Sequence, residues 1–399
     1  MLDDCPPPDD ERRPPPGGDG APGAGAGVVG VAANEPRSPL FHVNSQPQVW
    51  RAGVTLADVV REAAVDAANV ATALNGRFVP RAARATTALA PGDAVLLFAA
   101  IVGGWRRRRP RRPSSRPRPE DAMNPVREPV PDAPSPWEAY GQPLTSRFLL
   151  GTAGYPSPDV LGRAIAASGA QVVTVGLKRH LAGHGMPDCD DAVAIIQSCC
   201  AAAGARLLPN TAGCRSAREA VLLAQMAHEL FDTNWVKLEV IGDEHTLQPD
   251  PFELVDAART LVKLGFAVFP YCTDDLVVCR RLVDAGCEVL MPWAAPIGSA
   301  QGVLDPAALR TLRARLPDVR LIVDAGLGAP SHAALAMEMG FDAVLLNSAV
   351  AQAVAPERMA AAFAHAVAAG RLGYEAGLVA PQDMARPSTP VGGMPILID

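Results

Sequence analysis

Of the 36 basic side chains in this 399-residue chain only three are lysines: Lys178, Lys237 and Lys263. Arginine serves wherever a generic positive charge is wanted. It stays protonated near neutrality and cannot attack a carbonyl, whereas a lysine amine can. Any amine chemistry therefore falls on three positions. Lys237 lies two residues before Glu239 in the β-rich run Trp235-Val-Lys-Leu-Glu-Val-Ile241. Residues two apart leave the same face of a strand, so amine and carboxylate project together while Val236, Leu238 and Val240 take the other face. A buried ion pair that merely fills an interior has the same pattern, so the pair needs a place in the fold before it has a role. A second acid, Asp324, begins Asp-Ala-Gly-Leu-Gly328; Gly298 sits in Ala295-Pro-Ile-Gly-Ser299; Asn347-Ser348 follow another apolar run. Glycine-rich turns let backbone N–H groups approach an anion closely.

These residues fall at the ends of regularly placed elements. From Arg147 onward β-rich runs alternate with amphipathic helical patterns. The runs are Phe148–Gly151, Val172–Gly176, Arg206–Pro209, Trp235–Ile241, Val268–Cys272, Glu288–Pro292, Arg320–Asp324 and Ala343–Leu346. Helix starts are legible between them: Ser216-Ala-Arg-Glu219 as a capping box, Asp305-Pro306 as an N-cap with proline in the first turn, and Pro330-Ser331. Eight β/α units in one segment predict an α/β fold, a closed (β/α)8 TIM-type barrel over residues 137–380, with 381–399 as a tail. A doubly wound open sheet is the rival; it usually has fewer strands and a Gly-rich first turn, absent here. In a barrel the carboxyl ends of the strands carry the active site. Lys237, Glu239, Asp324, the Gly298 loop, Ala325-Gly326 and Asn347-Ser348 all map to that end. Pro209 inside the third run conflicts with a paired strand.

A smaller folded segment precedes the barrel, over residues 27–104. Thr55 caps an amphipathic helix with Leu56, Val59, Val60 and Ala63 on one stripe. Asn75-Gly76 between apolar runs is a hairpin signal. Pro91-Gly-Asp93 then turns the chain into a last strand, Ala94–Ile101, which leads to Gly103-Gly104. Val28–Val49 is poorly patterned for the two further strands that such a small domain would contain.

Two resemblances follow from these residues. Ala73-Leu-Asn-Gly-Arg-Phe-Val-Pro80, with Leu89-Ala-Pro-Gly-Asp93 and Ile101-Val-Gly-Gly104, resembles the ubiquitin-like β-grasp sulfur carriers of thiamine biosynthesis. Val236-Lys-Leu-Glu-Val-Ile241, Leu208-Pro-Asn-Thr-Ala-Gly213, Val268-Phe-Pro-Tyr-Cys272, Met291-Pro-Trp-Ala-Ala-Pro-Ile-Gly-Ser299 and Val323-Asp-Ala-Gly-Leu-Gly328 resemble bacterial thiazole synthase. The second resemblance implies that Lys237 forms a Schiff base with 1-deoxy-D-xylulose 5-phosphate, which reacts with dehydroglycine and a carrier thiocarboxylate. It assigns acid–base roles to Glu239 and Asp324, and substrate phosphate contacts to Gly298, Ala325, Gly326, Asn347 and Ser348. It further implies a homo-oligomer. Burial in the barrel mouth is expected to free the Lys237 amine for attack. Another Schiff-base barrel, such as a sugar-phosphate aldolase, is the alternative within enzymes.

The first resemblance implies that the carboxylate of Gly104 is adenylated and converted to a thiocarboxylate. Here Gly104 is followed by Trp105, and an amide carbonyl cannot be adenylated as a carboxylate would be. Either the chain is cut after Gly104, or the segment is only a docking module and a separate carrier supplies the sulfur.

Composition bounds the remaining possibilities. Proline (39 in all) clusters with glycine in residues 1–26 and with arginine in an Arg/Pro-rich stretch over 105–136, both read as disordered. A net charge of −6 gives no general case for nucleic acid, and the arginines from Arg106 to Arg118 read as a solvated linker. No apolar run is long enough for a membrane span, and the acidic, proline-rich start does not read as a signal sequence. A cytoplasmic protein with its eight cysteines reduced is expected. No Cys-x-x-Cys occurs, and Cys199-Cys200 are neighbours on a helix. His180 and His184 would form a metal pair only on a helix, which Gly183 and Gly185 oppose, so neither metal nor cofactor is expected. Lys178 fits an anion contact or a loop charge, and Lys263, late in a helix, fits a solvated C-terminal charge.

Overall fold

The computed structural model describes residues 39–63, 67–100, 134–179 and 189–386. The proline-rich start, the arginine-rich stretch, Gly103, Gly104, and the His180–His184 pair lie outside them.

The first part is a β-grasp. Strands β1 (Leu40–Val43) and β2 (Gln46–Val49) form an antiparallel hairpin. Helix α1 (Leu56–Glu62) follows, then β3 (Val70–Leu74), β4 (Arg77–Val79) and β5 (Ala94–Ala100). Thr55 and Asp58 form a reciprocal capping box at the start of α1. Asn75 and Gly76 both take positive φ (51° and 70°), as the two-residue β3–β4 turn requires. Phe41, Val43, Leu56, Val59, Val60, Val70, Val95 and Leu97 pack into a core of their own. The β1–β2 hairpin corrects the sequence reading. Every residue of β2 is exposed, so no apolar alternation marks it. Its signal was the turn, where Asn44 and Ser45 have φ of 48° and 71°.

The barrel is preceded by a second hairpin, β6 (Trp137–Ala139) and β7 (Gln142–Leu144). Eight parallel strands follow: β8 (Phe148–Gly151), β9 (Val172–Arg179), β10 (Arg206–Asn210), β11 (Trp235–Leu238), β12 (Ala267–Cys272), β13 (Val289–Pro292), β14 (Arg320–Asp324) and β15 (Ala343–Leu346). Each pairs with the next, and β15 pairs with β8, which closes the barrel and excludes the open sheet. Helices α2 (Pro158–Ser168), α3 (Cys189–Ala203), α4 (Ala217–Phe231), α5 (Pro251–Lys263), α6 (Leu276–Asp284), α7 (Pro306–Arg315) and α8 (Pro330–Glu338) follow successive strands. The short α9 (Ser348–Ala351) and long α10 (Pro356–Ala376) follow β15.

Local sequence explains these starts. Asp250, Asp275 and Asp305 each accept two backbone N–H bonds at a helix N-terminus. Ser216 accepts from Glu219 N–H, but the Glu219 carboxylate reaches back to Arg215 N–H, one residue short of a reciprocal box. The ladder from β10 to β11 begins only at Asn210, which leaves a place for Pro209 on that flank. Cys200, Cys214, Cys272, Cys279 and Cys287 are buried and Cys199 is half-buried, and none of these six forms a disulfide. Lys263 is exposed at the end of α5.

Alternation along the strands sorts the barrel into two regions. Leu149, Val172, Leu208, Trp235, Phe269, Val289, Met291, Ile322 and Leu345 fill the interior with Trp137, Ala139 and Leu144 from the β6–β7 hairpin, which plugs its amino-terminal end. Val236, Leu238 and Val240 point outward and are fully buried against the helices. Trp137 also donates its indole N–H to the Ser146 carbonyl. Trp137→Ala should lower stability by about 3–5 kcal/mol, the usual cost of emptying such a site. Denaturant unfolding checks this, and an unchanged midpoint would show that the hairpin does not seal the barrel.

Candidate active site

At the carboxyl-terminal end the inward positions become polar. Lys237 and Glu239 leave the same face of the fourth barrel strand, and Asp324 ends the seventh. All three are buried. Lys237 Nζ lies 3.0 Å from Glu239 Oε1 and 2.7 Å from Asp324 Oδ2. The paired part of β11 stops at Leu238, shorter than the run to Ile241 read from sequence. Glu239 holds its inward aim because Thr211 pins its backbone: Glu239 N–H donates to Thr211 Oγ1, and Thr211 Oγ1–H donates to the Glu239 carbonyl, both at 2.8 Å.

The charges decide the resting state. Burial opposes charge on Lys237 more than any other influence, but the combined attraction of Asp324 and Glu239 outweighs it and holds the amine above its ordinary value. The expectation of an amine freed by burial is therefore corrected: unliganded Lys237 is an ammonium. For Asp324, burial is the largest influence and Glu239 adds to it, against Lys237 and the Ala325 N–H, so its carboxyl is raised.

The three groups open into a cavity of about 420 Å³. Gly298, Ala325, Gly326, Asn347 and Ser348 all line it. Ala325 takes φ 76°, a left-handed conformation costly for a residue with a Cβ, directly after Asp324. Gly326 also has positive φ, and a Cβ there would lie 2.5 Å from the backbone N of Ala295, so the turns after β13 and β14 touch. The first N–H groups of α9 have no acceptor within the helix and begin beside Asn347. Sequence reasoning missed the opposite wall: Gly151, Thr174, Gly176 and Asn210 also line the cavity. Strand parity was the available signal, since each continues the inward-facing series of its strand towards the carboxyl end. Gly151 is required sterically, because a Cβ would meet the Asn347 side chain at 2.6 Å. Lys178 is part of β9, where its backbone pairs with Ala99, and is not a loop residue. Among the described residues no cluster of His, Cys, Asp or Glu could hold a metal ion.

A single lysine held between two buried acids, at the mouth of a parallel barrel and facing glycine-rich turns, gives this (β/α)8 barrel the enclosed polar centre of an enzyme. The family model described as thiazole biosynthesis protein ThiG matches residues 138–390, and the ThiS family model matches residues 38–104. The chain belongs to the thiazole synthase family, with a ThiS-family domain fused ahead of the barrel. It is 59% identical over 256 residues to a thiazole synthase of Rhodopseudomonas palustris (strain BisA53), covering 64% of this chain and 96% of the relative. A thiazole synthase of Coxiella burnetii (strain RSA 331 / Henzerling II) is 57% identical, with 66% and 99% covered. Among solved structures, the Amycolatopsis orientalis BexX/CysO complex superposes with a TM-score of 0.55 at 30% identity, covering 64% of this chain and all of that one. Membership of this family sets aside the aldolase alternative.

The charge balance predicts a pH dependence. Amine attack needs neutral Lys237, so imine formation should accelerate as pH rises through neutrality. Asp324→Asn removes one attraction that favours the ammonium, so the rising limb should move to lower pH. Borohydride trapping of a phosphorylated ketone across pH checks this; a limb at unchanged or higher pH contradicts it.

Proposed function

We propose that the barrel condenses Lys237 with the ketone of 1-deoxy-D-xylulose 5-phosphate and builds the thiazole phosphate from it. Dehydroglycine and a carrier thiocarboxylate are the other reactants. The observation that carries this reading is the Lys237 side chain held between Glu239 and Asp324 where all three line the cavity. Nζ attacks the carbonyl carbon, and the carbonyl oxygen leaves as water. The iminium acidifies the neighbouring carbon, and the two carboxylates move protons while sulfur enters and dehydroglycine closes the ring. Gly298, Ala325, Gly326, Asn347 and Ser348 hold the phosphate through backbone N–H groups and short polar side chains. The barrel works as a homo-oligomer in the cytoplasm. No helix among the described residues is long and apolar enough to cross a membrane.

We infer that the sulfur comes from the chain's own ThiS-family domain, delivered on Gly103-Gly104. Strand β5 adds antiparallel to the outer end of β9, with Ala100 opposite Leu177. Leu177 lines the cavity. Gly104 is four residues beyond Ala100, a reach of at most ~14 Å for extended chain. The domain is also held from the side. Glu229 on α4 accepts from Arg84 at 3.0 Å and from Arg81 N–H, and Arg218 donates to the Asn75 carbonyl at 3.0 Å. Cleavage after Gly104 would free the carboxylate for activation while these contacts keep the carrier on the barrel.

Two outcomes follow. Lys237→Arg should give no borohydride-trapped adduct and lose at least ~10³-fold in thiazole formation, because arginine cannot form the imine. An adduct in that variant would overturn the assignment. Intact-mass measurement on protein from its own cells should find a species ending at Gly104, with or without the sulfur increment. Full-length chain alone would favour a docking module served by a separate carrier.

A further inference from the structure

Imine formation changes what Lys237 can offer its two acids. The condensation R–NH3+ + O=C → R–NH+=C + H2O replaces the C=O double bond with a C=N double bond, expels the carbonyl oxygen as water and conserves charge. Three N–H donors become one. The resting ammonium touches both Glu239 and Asp324, but a protonated imine can hold only one of them. The other carboxylate is left buried without its donor, which is unfavourable unless something replaces it.

Tyr271 is placed to do so. It precedes the last residue of β12, the strand beside β11, and faces inward in the series Ala267, Phe269, Tyr271. It is fully buried, and its ring centroid is 5.8 Å from Lys237 Nζ. Among the described residues its hydroxyl has no hydrogen-bond partner. A buried phenol without a partner is costly in the resting enzyme, so it points to a state in which it has one. Burial, then the charges of Asp324 and Glu239, hold the phenol above its ordinary value, so it stays a donor and is near both acids.

We propose that Tyr271 is a positioning residue for the imine state, its O–H donating to the carboxylate that Lys237 releases when the Schiff base forms. The proposal rests on the Lys237 reading. It gives the resting enzyme an unsatisfied donor and the covalent intermediate a complete set, so the phenol favours the intermediate over the empty site.

Tyr271→Phe tests this, because it keeps the ring and removes only the unpartnered O–H. The fraction of Lys237 trapped by borohydride is measured against 1-deoxy-D-xylulose 5-phosphate concentration, from pH 5 to 9. The concentration for half-maximal imine should rise about 10-fold or more. The acid limb should move to lower pH, because the imine state then takes up a proton on the carboxylate that lacks its donor and is favoured as pH falls. Half-saturation within twofold of the unmodified protein and an unmoved limb would overturn the proposal. An unmodified protein that gives no adduct would instead defeat the Lys237 assignment. Should the variant fail to fold, infrared difference spectra of the unmodified protein with 13C-labelled tyrosine decide. A tyrosine C–O band that shifts on saturation with the sugar phosphate is expected, and an unshifted one contradicts the role.

Discussion

Two acids and one lysine share a buried space in which no charge is tolerable alone. Removing one partner from such a group usually costs about 3–5 kcal/mol, far more than losing a surface pair. The triad therefore constrains what surrounds it. The lower barrel must be apolar and sealed, which Phe269, Met291, Ile322 and the β6–β7 plug achieve. The strands must end in register, which the Thr211 hydroxyl ensures by fixing Glu239 on both sides of its peptide. The same constraint supplies reactivity. The acids favour the protonated form of Lys237, and burial raises the Asp324 carboxyl, so the two groups compete for a proton across the site.

The strain around the cavity fits this arrangement. Ala325 pays for its positive φ directly beside Asp324, and Gly326 and Gly151 are kept bare by contacts that a Cβ would violate. These positions draw the ends of β8, β13, β14 and β15 together, so that Gly151, Ala325 and Gly326 line the cavity with little or no side chain. A wall of that kind suits a phosphate, which is best held by N–H groups.

Much of this was legible in the chain itself, for physical reasons that differ by element. The barrel strands are short apolar runs separated by capped helices, and their period shows where each begins. Lys237 and Glu239 could be placed on one face because strand alternation is independent of tertiary detail. Asp324, Gly298 and Asn347-Ser348 were placed by counting strands. What sequence obscured depends on pairing or on charge. Strand β2 has no buried residue, so only its turn betrays it. The outer end of β9 looks like loop until β5 pairs with it. The protonation of Lys237 follows from the distance to Asp324, which lies 87 residues away in the chain and three strands away round the barrel. Tyr271 reads as one more aromatic in a buried strand until its hydroxyl is seen without a partner.

The central claim is that one amine, Lys237, carries the covalent chemistry. The most direct measurement is peptide mapping of unmodified protein reduced with borohydride in the presence of 1-deoxy-D-xylulose 5-phosphate. The reduced adduct is predicted on the peptide containing Lys237, in one copy per chain. An adduct on Lys178, on Lys263 or on the amino terminus, with the Lys237 peptide unchanged, would contradict the account.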